Sequence, residues 1–486
     1  MSLFDAVFAA ALPGARFVFL VLGVPVLVFG LVTLLVLPLS AWFEIRAAGR
    51  RRRDVPTLHD QWPSVSVIVP ACNEATVIAN CVRSIQLTRY DRYEVILVDD
   101  GSTDNTAQLM AELAAGDPRI KVLTQTNAGK AAALNLGIRN AAGDVLMFVD
   151  ADGIFSRHTV EEMLQGFEDG RTGAVCGDDR PVNLNRAQTR MLPFISHIGA
   201  GMVRRALSMM GCLPAVSGNI VAFPRKVVEE VGLFREDTVG EDLELTWRVH
   251  RAGYRVVFAP RALVYAESPS TIAALWRQRV RRARGLLQTM AVHKGVIGNL
   301  RHGRFGAHLL FNAVTMVVRP LVQMVLILGL AFLLVLGYDP LGSDAWAVLG
   351  WGVIVTLVLT VGTVGMDRAW KNLRQVWALP LIPLYSVFTS LAMAAALGQE
   401  LRHHLRRRLA GGPEVSVSGG AAAVAVTSSG MPDDDAWRAL RRAWSQAAHK
   451  DGAGLSSSAP VALQRGVTLR LSEAAGPARS DPALDV

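Results

Sequence analysis

Cysteine is scarce in this chain of 486 residues: four, at Cys72, Cys81, Cys176 and Cys212. They are scattered, with no paired metal spacing, and read as reduced core thiols of a cytoplasmic domain. No basic run is interleaved with aromatics on a recognisable module, so nucleic acid is excluded as a partner. No segment repeats. Charged residues make up only 19% of the chain, against 51% hydrophobic residues. The mean hydropathy of +0.31 is too high for an ordinary soluble protein of this size and points to membrane spans. The formal net charge of +9 is the arginine excess expected on the inner flanks of a bacterial membrane protein, and anionic substrates can use part of it.

The long apolar run lies near the start, FVFLVLGVPVLVFGLVTLLVLPLSAWF, within Arg16 to Phe43. It is long enough to cross a bilayer and lacks the short core and cleavage site of a secretory signal, so it reads as a retained anchor. Phe4 to Leu12 is too short to span. Arg46 and Arg50 to Arg53 follow the run and place the next segment in the cytoplasm. Three further spans are expected at Leu321–Gly337, Trp346–Met366 and Val376–Leu397, with His308–Pro320 either an interfacial helix or the start of the first. Arg402, Arg406, Arg407 and Arg408 open the tail and argue that it is cytoplasmic. That makes Val376–Leu397, with Pro380 and Pro383, the segment that enters and leaves on one face. The rest of the tail is rich in Gly, Ala and Ser and reads as disordered, with room for a short helix around Asp435 to His449. Four regions result: an anchor (1–54), a cytoplasmic domain (55–300), transmembrane or interfacial helices (301–400) and the tail (401–486).

Within the second region the pattern changes. Short β-branched runs, Val65–Pro70, Glu94–Asp100, Ile120–Thr124 and Asp144–Asp150, alternate with helical stretches at about Ala75 to Gln86, from Asp104 and from Gly129. Strands alternating with helices predict an α/β domain with a mostly parallel sheet, whose ligands sit beyond the carboxyl ends of the strands.

The chemistry-bearing motifs fall at those ends. VDDGSTD (Val98–Asp104) ends a strand in two acids and a turn; an acid there can accept hydrogen bonds from a base or ribose, or Ser102 or Asp104 simply caps a helix. FVDAD (Phe148–Asp152) delivers Asp150 and Asp152 two residues apart, a spacing that can hold a hard divalent cation and leave room for two phosphate oxygens. In NAGKAAALNLGI (Asn127–Ile138), Lys130 sits where a helix start suits phosphate. Glu241 and Asp242 precede a helix, as a general base or as acids on the helix dipole. In LWRQRVRRARG (Leu275–Gly285), Gln278 and Arg281 share a helical side, on a helix that also suits lipid headgroups.

In this order the motifs resemble the membrane-bound family 2 glycosyltransferases of the processive type, which include cellulose, chitin, hyaluronan and poly-N-acetylglucosamine synthases. The match runs from about Val65 to Gly285. It implies a GT-A-type fold. Pro70, Asn73 and Glu74, of PACNE, look like the first nucleotide-side motif. Asp100 looks like the acid on the uridine part, and Lys130 like a lysine near the diphosphate. Asp150 and Asp152 look like the metal-binding Asp-x-Asp, for Mg²⁺ or Mn²⁺. Ser217 and Gly218, of SGNIVAF, resemble the loop lining the acceptor side. Glu241-Asp242 is similar to Thr-Glu-Asp with Gly240 in place of Thr, and its Asp, the catalytic base, is Asp242. Gln278 and Arg281 fit Gln-x-x-Arg-Trp, but the Trp position holds Arg282. Its guanidinium can stack on a sugar ring without the same apolar area. Trp276 lies on another side of the helix and does not replace it.

The resemblance implies inversion at the anomeric carbon: Asp242 takes the acceptor proton while the metal, Lys130 and Arg281 stabilise the departing diphosphate. The donor is expected to be a UDP-sugar, with UDP-N-acetylglucosamine leading. The acceptor is expected to be a growing β-linked polysaccharide at the cell membrane, with accessory export proteins as possible partners. Two alternatives stand beside it: non-processive transfer of one sugar to a lipid or short glycan, and a degenerate domain kept for binding or regulation.

Overall fold

The computed structural model describes residues 36–49, 62–167, 169–182, 192, 195–335, 354–355, 357–367, 369–370, 374, 377, 382–409, 461–463 and 467–469. Two compact units divide the chain after Leu397. In the first, eight strands form one sheet in the order β3-β2-β1-β4-β7-β6-β8-β5. They are β1 (Val65–Ala71), β2 (Tyr93–Asp100), β3 (Ile120–Gln125), β4 (Val145–Val149), β5 (Ile154–Phe155), β6 (Thr172–Pro181), β7 (Ile220–Pro224) and β8 (Arg255–Ala266). The first four are parallel, as is β6 with β8; β7 runs antiparallel to both β4 and β6, and β5 to β8. This is the α/β, mostly parallel sheet expected from the alternation of strands and helices.

Every residue of β1 is buried, because helices cover both faces of the sheet. Alternation along the strand sorts the side chains. Val65, Val67 and Val69 pack with Ile78, Val82 and Ile85 of α2 (Ile78–Gln86) and Met110 of α3 (Thr106–Gly116). Ile68 turns the other way, to Ala133, Leu134 and Ile138 of α4 (Lys130–Asn140), in a core shared with Phe148 and Phe223. Each helix begins one to three residues later than the sequence pattern suggests. The intervening residues go into turns: Asp104 accepts the Thr106 N–H at 3.0 Å, so α3 starts after it.

The remaining helices of this domain are α5 (Thr159–Leu164), α6 (Val203–Met210), α7 (Arg225–Val231), α8 (Glu241–Arg251) and α9 (Ile272–Val292). Glu244 of α8, fully buried, pairs with Arg248 at 2.8 Å and with His293 at 3.1 Å. Arg248 also donates to the carbonyls of Val231, Gly232 and Leu233. Helix α8 is therefore tied both to the end of α7 and to the end of α9.

Beyond α9, α10 (Gly303–Ala313), a π-helical turn (Val314–Val318) and α11 (Arg319–Val335) follow without a break. Within them Leu300–Gly329 is, by length and composition, the one described helix able to cross a membrane. His308–Pro320 belongs to this helix, which continues into the first expected span. The π turn sits just before Pro320, whose ring lacks an N–H and would break a regular ladder. Of the second expected span, the helix Leu357–Met366 is described. Of the third, Val376–Leu397, a single helix, Ile382–Leu409, is described, and it continues into the basic cluster. Most of the amino-terminal run, Phe4–Leu12 and the stretch Asp435–His449 lie outside the described residues. In the tail, expected to be disordered, two three-residue strands, Val461–Leu463 and Val467–Leu469, pair antiparallel.

A buried ionic network joins the sheet to the flanking helices. Asp367, just after Leu357–Met366, pairs with Arg205 at 2.7 Å, with His197, and with Arg180 at 3.4 Å. Arg205 also pairs with Glu44 of the helix at 36–49, at 2.7 Å. Removing one member of such a network strands the others in a poor solvent for charge. Asp367→Ala is expected to destabilise the protein by about 3–5 kcal/mol. Adding Arg205→Ala should cost less than the sum of the two. Denaturant unfolding of detergent-solubilised protein measures both, and an Asp367→Ala variant as stable as its parent would show that the network anchors nothing.

Candidate active site

The parallel strands bring their carboxyl ends to one edge of the sheet. Asp150 and Asp152 leave the end of β4, and Asp100 ends β2. Asp100 is buried and fully engaged: its carboxylate accepts from the N–H groups of Ala128 (2.8 Å) and Gly129 (3.0 Å) and from Gln125 (2.8 Å). These bonds hold the turn that launches α4. Gly129 occupies it with φ of 95°, a conformation that side chains with a β carbon rarely adopt. The turn sets Lys130 at the first position of α4, with its ammonium hydrogen-bonded to Asp150 and 3.9 Å from Glu241. Burial works against the Lys130 charge, but Asp150 and then Glu241 outweigh it and hold its pKa above the ordinary lysine range.

A cavity of about 650 Å³ opens over these residues. The strand ends give it Pro70, Glu74, Asp100, Lys130, Asp150 and Asp152. The loop before β7 gives Ser217 and Gly218, α8 gives Glu241 and Asp242, and α9 gives Gln278, Arg281 and Arg282. Of the candidate residues only Asn73 stands outside the lining. Its backbone is left-handed, with φ of 59°, which Asn tolerates. Its side chain accepts from Thr103 N at 2.8 Å, and its own N–H donates to Ser102 at 3.0 Å. Asn73 thus ties the β1 turn to the β2 turn. Of SGNIVAF, only Ser217, Gly218 and Asn219 line the cavity, because Ile220 onward is buried strand.

Negative charge is in excess where the strands end. Burial, then Asp150, pushes the Asp152 carboxyl up to about 6. Burial, then Asp152 and Asp150, raises Glu74. Among the described residues no group of three or more His, Cys, Asp or Glu is arranged to hold an ion. The oxygen pair Asp150 and Asp152 instead fits Mg²⁺ or Mn²⁺ of the kind held by one or two carboxylates together with substrate phosphates.

Residues 66–232 match the model of the family described as Glycosyl transferase family 2. This stretch is a family 2 glycosyltransferase domain. A poly-beta-1,6-N-acetyl-D-glucosamine synthase of Staphylococcus aureus (strain COL) is 33% identical over 247 residues, which is 50% of this chain and 58% of that one. The synthase of the same name from Staphylococcus epidermidis is 32% identical over 236 residues, 48% of this chain and 56% of that one. The chain thus spans somewhat over half the length of these curated relatives. Among solved structures, a mannosyltransferase from Pyrobaculum calidifontis in complex with GDP-Man and Mn²⁺ is similar in fold. Its TM-score is 0.50 at 24% identity, covering 71% of this chain and 98% of that one.

Two polar side chains that line the cavity, Asp179 and Arg204, lie outside the sequence motifs. Asp179 of β6 accepts from Ser217 at 2.8 Å and pairs with Arg204 at 3.2 Å. Burial opposes its ionisation, but Arg204, the Ser217 hydroxyl and Arg282 hold its pKa below the usual carboxylate range. The available signal was an acidic pair, Asp178-Asp179, directly after the small and apolar stretch Gly173–Gly177. Cys72, expected in the core, lines the cavity instead and accepts from Asn127 at 3.3 Å. Burial and then Asp100 raise its thiol pKa, so it stays neutral. Trp276 packs edge-on against Phe388, ring centres 5.4 Å apart, and stands apart from the cavity.

The departure at Gly240 has a physical cause. A β carbon at 240 would lie 3.1 Å from the Gly285 α carbon, and one at 285 would lie 3.0 Å from that of Gly240. Helix α9 therefore crosses the start of α8 backbone to backbone, and Val239 N–H adds a bond to Gln288 at 2.9 Å. Gly240→Thr, which restores the family's residue, is expected to force the helices apart and to destabilise the domain by about 1–3 kcal/mol. Denaturant unfolding checks it; unchanged stability would mean that α9 moves freely against α8.

Proposed function

We propose that this protein is an inverting glycosyltransferase that moves a sugar from a nucleotide diphosphate sugar to a growing β-linked polysaccharide at the cytoplasmic face of a cell membrane. UDP-N-acetylglucosamine is the favoured donor, by likeness to the staphylococcal synthases. The observation that carries the reading is the meeting of three groups in one cavity: Asp150 with Asp152, Lys130, and Glu241 with Asp242. The apolar helix Leu300–Gly329 and the arginines after Phe43 support the membrane location.

In this reading Asp242 is the general base. It takes the proton of the acceptor hydroxyl as that oxygen attacks the anomeric carbon, and the nucleoside diphosphate departs from the opposite face. One displacement inverts the centre, so no second carboxylate is needed as nucleophile. Lys130, at the start of α4, and Arg281, on the exposed side of α9, meet the charge that grows on the leaving phosphate. Asp150 and Asp152 would hold Mg²⁺ or Mn²⁺, which when bound supplies further charge neutralisation to the diphosphate. Ser217, Gly218, Glu241, Gln278 and Arg282 face the acceptor, while Pro70, Glu74 and the turn held by Asp100 face the donor. Asn73 acts on the donor side only by tying the β1 turn to the β2 turn.

Membranes carrying the protein, incubated with a panel of labelled nucleotide sugars, test the activity directly. Asp242→Asn should lower transfer roughly 10²–10⁴-fold while nucleotide binding stays near the parent's. Near-normal turnover at saturating acceptor would remove Asp242 from its role.

Arg282 favours a second reading, transfer of a single sugar to a lipid or short glycan. The side chain is exposed, lines the cavity near Asp179, and offers a charge where the processive enzymes have an indole. If the protein is a polymerase with a weakened acceptor platform, Arg282→Trp should shift the products to greater length on a sizing gel. An unchanged distribution would favour single transfer.

A further inference from the structure

Glu74, Asp150 and Asp152 bring three carboxylates to the strand ends, and one ammonium, Lys130, touches one of them. Lys130 bonds Asp150 directly; among the described residues no side-chain cation pairs with Glu74 or Asp152. The lysine is placed by a rigid device. Asp100 holds the Ala128–Gly129 turn through two hydrogen bonds and accepts a third from Gln125, so the start of α4 is set, and the ammonium is carried beyond it on a flexible four-carbon stem. Lys130 and Asp150 each keep 29% of their side-chain surface exposed, so the pair is open to a competing ion.

We infer that Lys130 is the resident counter-ion of Asp150 in the donor-free protein, and that a divalent ion binds well only when a nucleoside diphosphate draws the ammonium away. The inference rests on reading the cavity as a nucleotide-diphosphate-sugar site. A cation bound to Asp150 and Asp152 and an ammonium bound to Asp150 compete for the same oxygens, and like charges side by side repel. A diphosphate changes the balance. It offers Lys130 an anionic partner in place of Asp150 and gives the divalent ion further oxygen ligands. Metal and nucleotide then strengthen each other's binding by the same factor, as linkage requires. The freed ammonium stays within reach of Glu241, at 3.9 Å in the donor-free protein, so the exchange is felt at the helix that carries Asp242.

The test is Mn²⁺ binding to the full-length, detergent-solubilised protein, read by electron paramagnetic resonance with no sugar transfer taking place. The parent should bind Mn²⁺ weakly alone and about tenfold or more tightly with UDP present, a typical coupling between two ligands. Lys130→Met should bind Mn²⁺ alone about tenfold more tightly than the parent. Lys130→Arg, which keeps the charge, should stay close to the parent. If Lys130→Met does not fold, Lys130→Gln replaces it, and the parent's own dependence on UDP still decides. The inference is overturned if Lys130→Met binds Mn²⁺ no better than the parent, or if the parent binds Mn²⁺ equally well with and without bound UDP. Should UDP bind to no variant while Lys130→Met still gains Mn²⁺ affinity, the counter-ion role stands and the nucleotide-sugar reading falls.

Discussion

The close crossing of α9 over the start of α8 is the constraint on which the candidate site depends. Glycine on both sides, Gly240 and Gly285, lets the two backbones come within the reach of a single absent β carbon. Helix α8 carries Glu241 and Asp242, and α9 carries Gln278, Arg281 and Arg282, so this contact sets the distance between them. Ionic ties then fix the rest of both helices. Glu244 binds Arg248 within α8 and His293 just past α9, and Arg248 caps the end of α7. Backbone approach costs no side-chain entropy, and the buried ion pairs are saturated by hydrogen bonds, so neither device competes with a ligand for the cavity.

A division of labour among the charges follows. Pairs remote from the cavity are closed: Asp367 with Arg205, His197 and Arg180, and Glu244 with its two partners. Inside the cavity Lys130 pairs with Asp150, while burial and then the neighbouring carboxylates raise the pKa values of Glu74 and Asp152. Perturbed carboxylates in a cleft mark functional sites more often than structural ones. Asp100 belongs to the first class although it lines the cavity. With three hydrogen bonds already made, its present contribution is to shape the turn that places Lys130.

The sheet and most of the lining were legible in the sequence because they rest on local patterns. Val65–Ala71 is a β-branched run buried on both faces, and the acids that end β2 and follow β4 sit at the carboxyl ends of parallel strands, so strand polarity alone puts them on one edge. What was not legible depends on contacts between distant segments. Asp179 enters the cavity because β6 pairs with both β7 and β8, which its acidic pair with Asp178 does not reveal, and Arg204 joins the lining as the partner of Asp179, with no local signature. Asn73 stands outside the lining for the opposite reason. It sits inside a motif whose neighbours face the cavity, but a left-handed backbone turns its side chain to Thr103. Composition could locate apolar stretches but not their joints, which is why the helix through Pro320 was left open between a surface segment and the start of a span.

The wall formed by Asp179 and Arg282 bears on what the site can grip. An indole holds a sugar by covering the apolar face of its ring, a contact that tolerates sliding from one residue to the next. Asp179, fixed by Ser217 and Arg204, and the exposed guanidinium of Arg282 offer hydrogen bonds in set directions instead. Directional bonds define one register and must be broken for a chain to advance, whereas stacking need only shift. Under the proposed polymerase reading, the hold on a chain between additions would then fall less to this wall. The opposite side of α9 offers no grip either, since Val280 and Ala283 are buried against Ala392, Met393 and Ala396. Under single transfer, the same fixed register is an advantage, since it presents one hydroxyl to Asp242 and lets the product go.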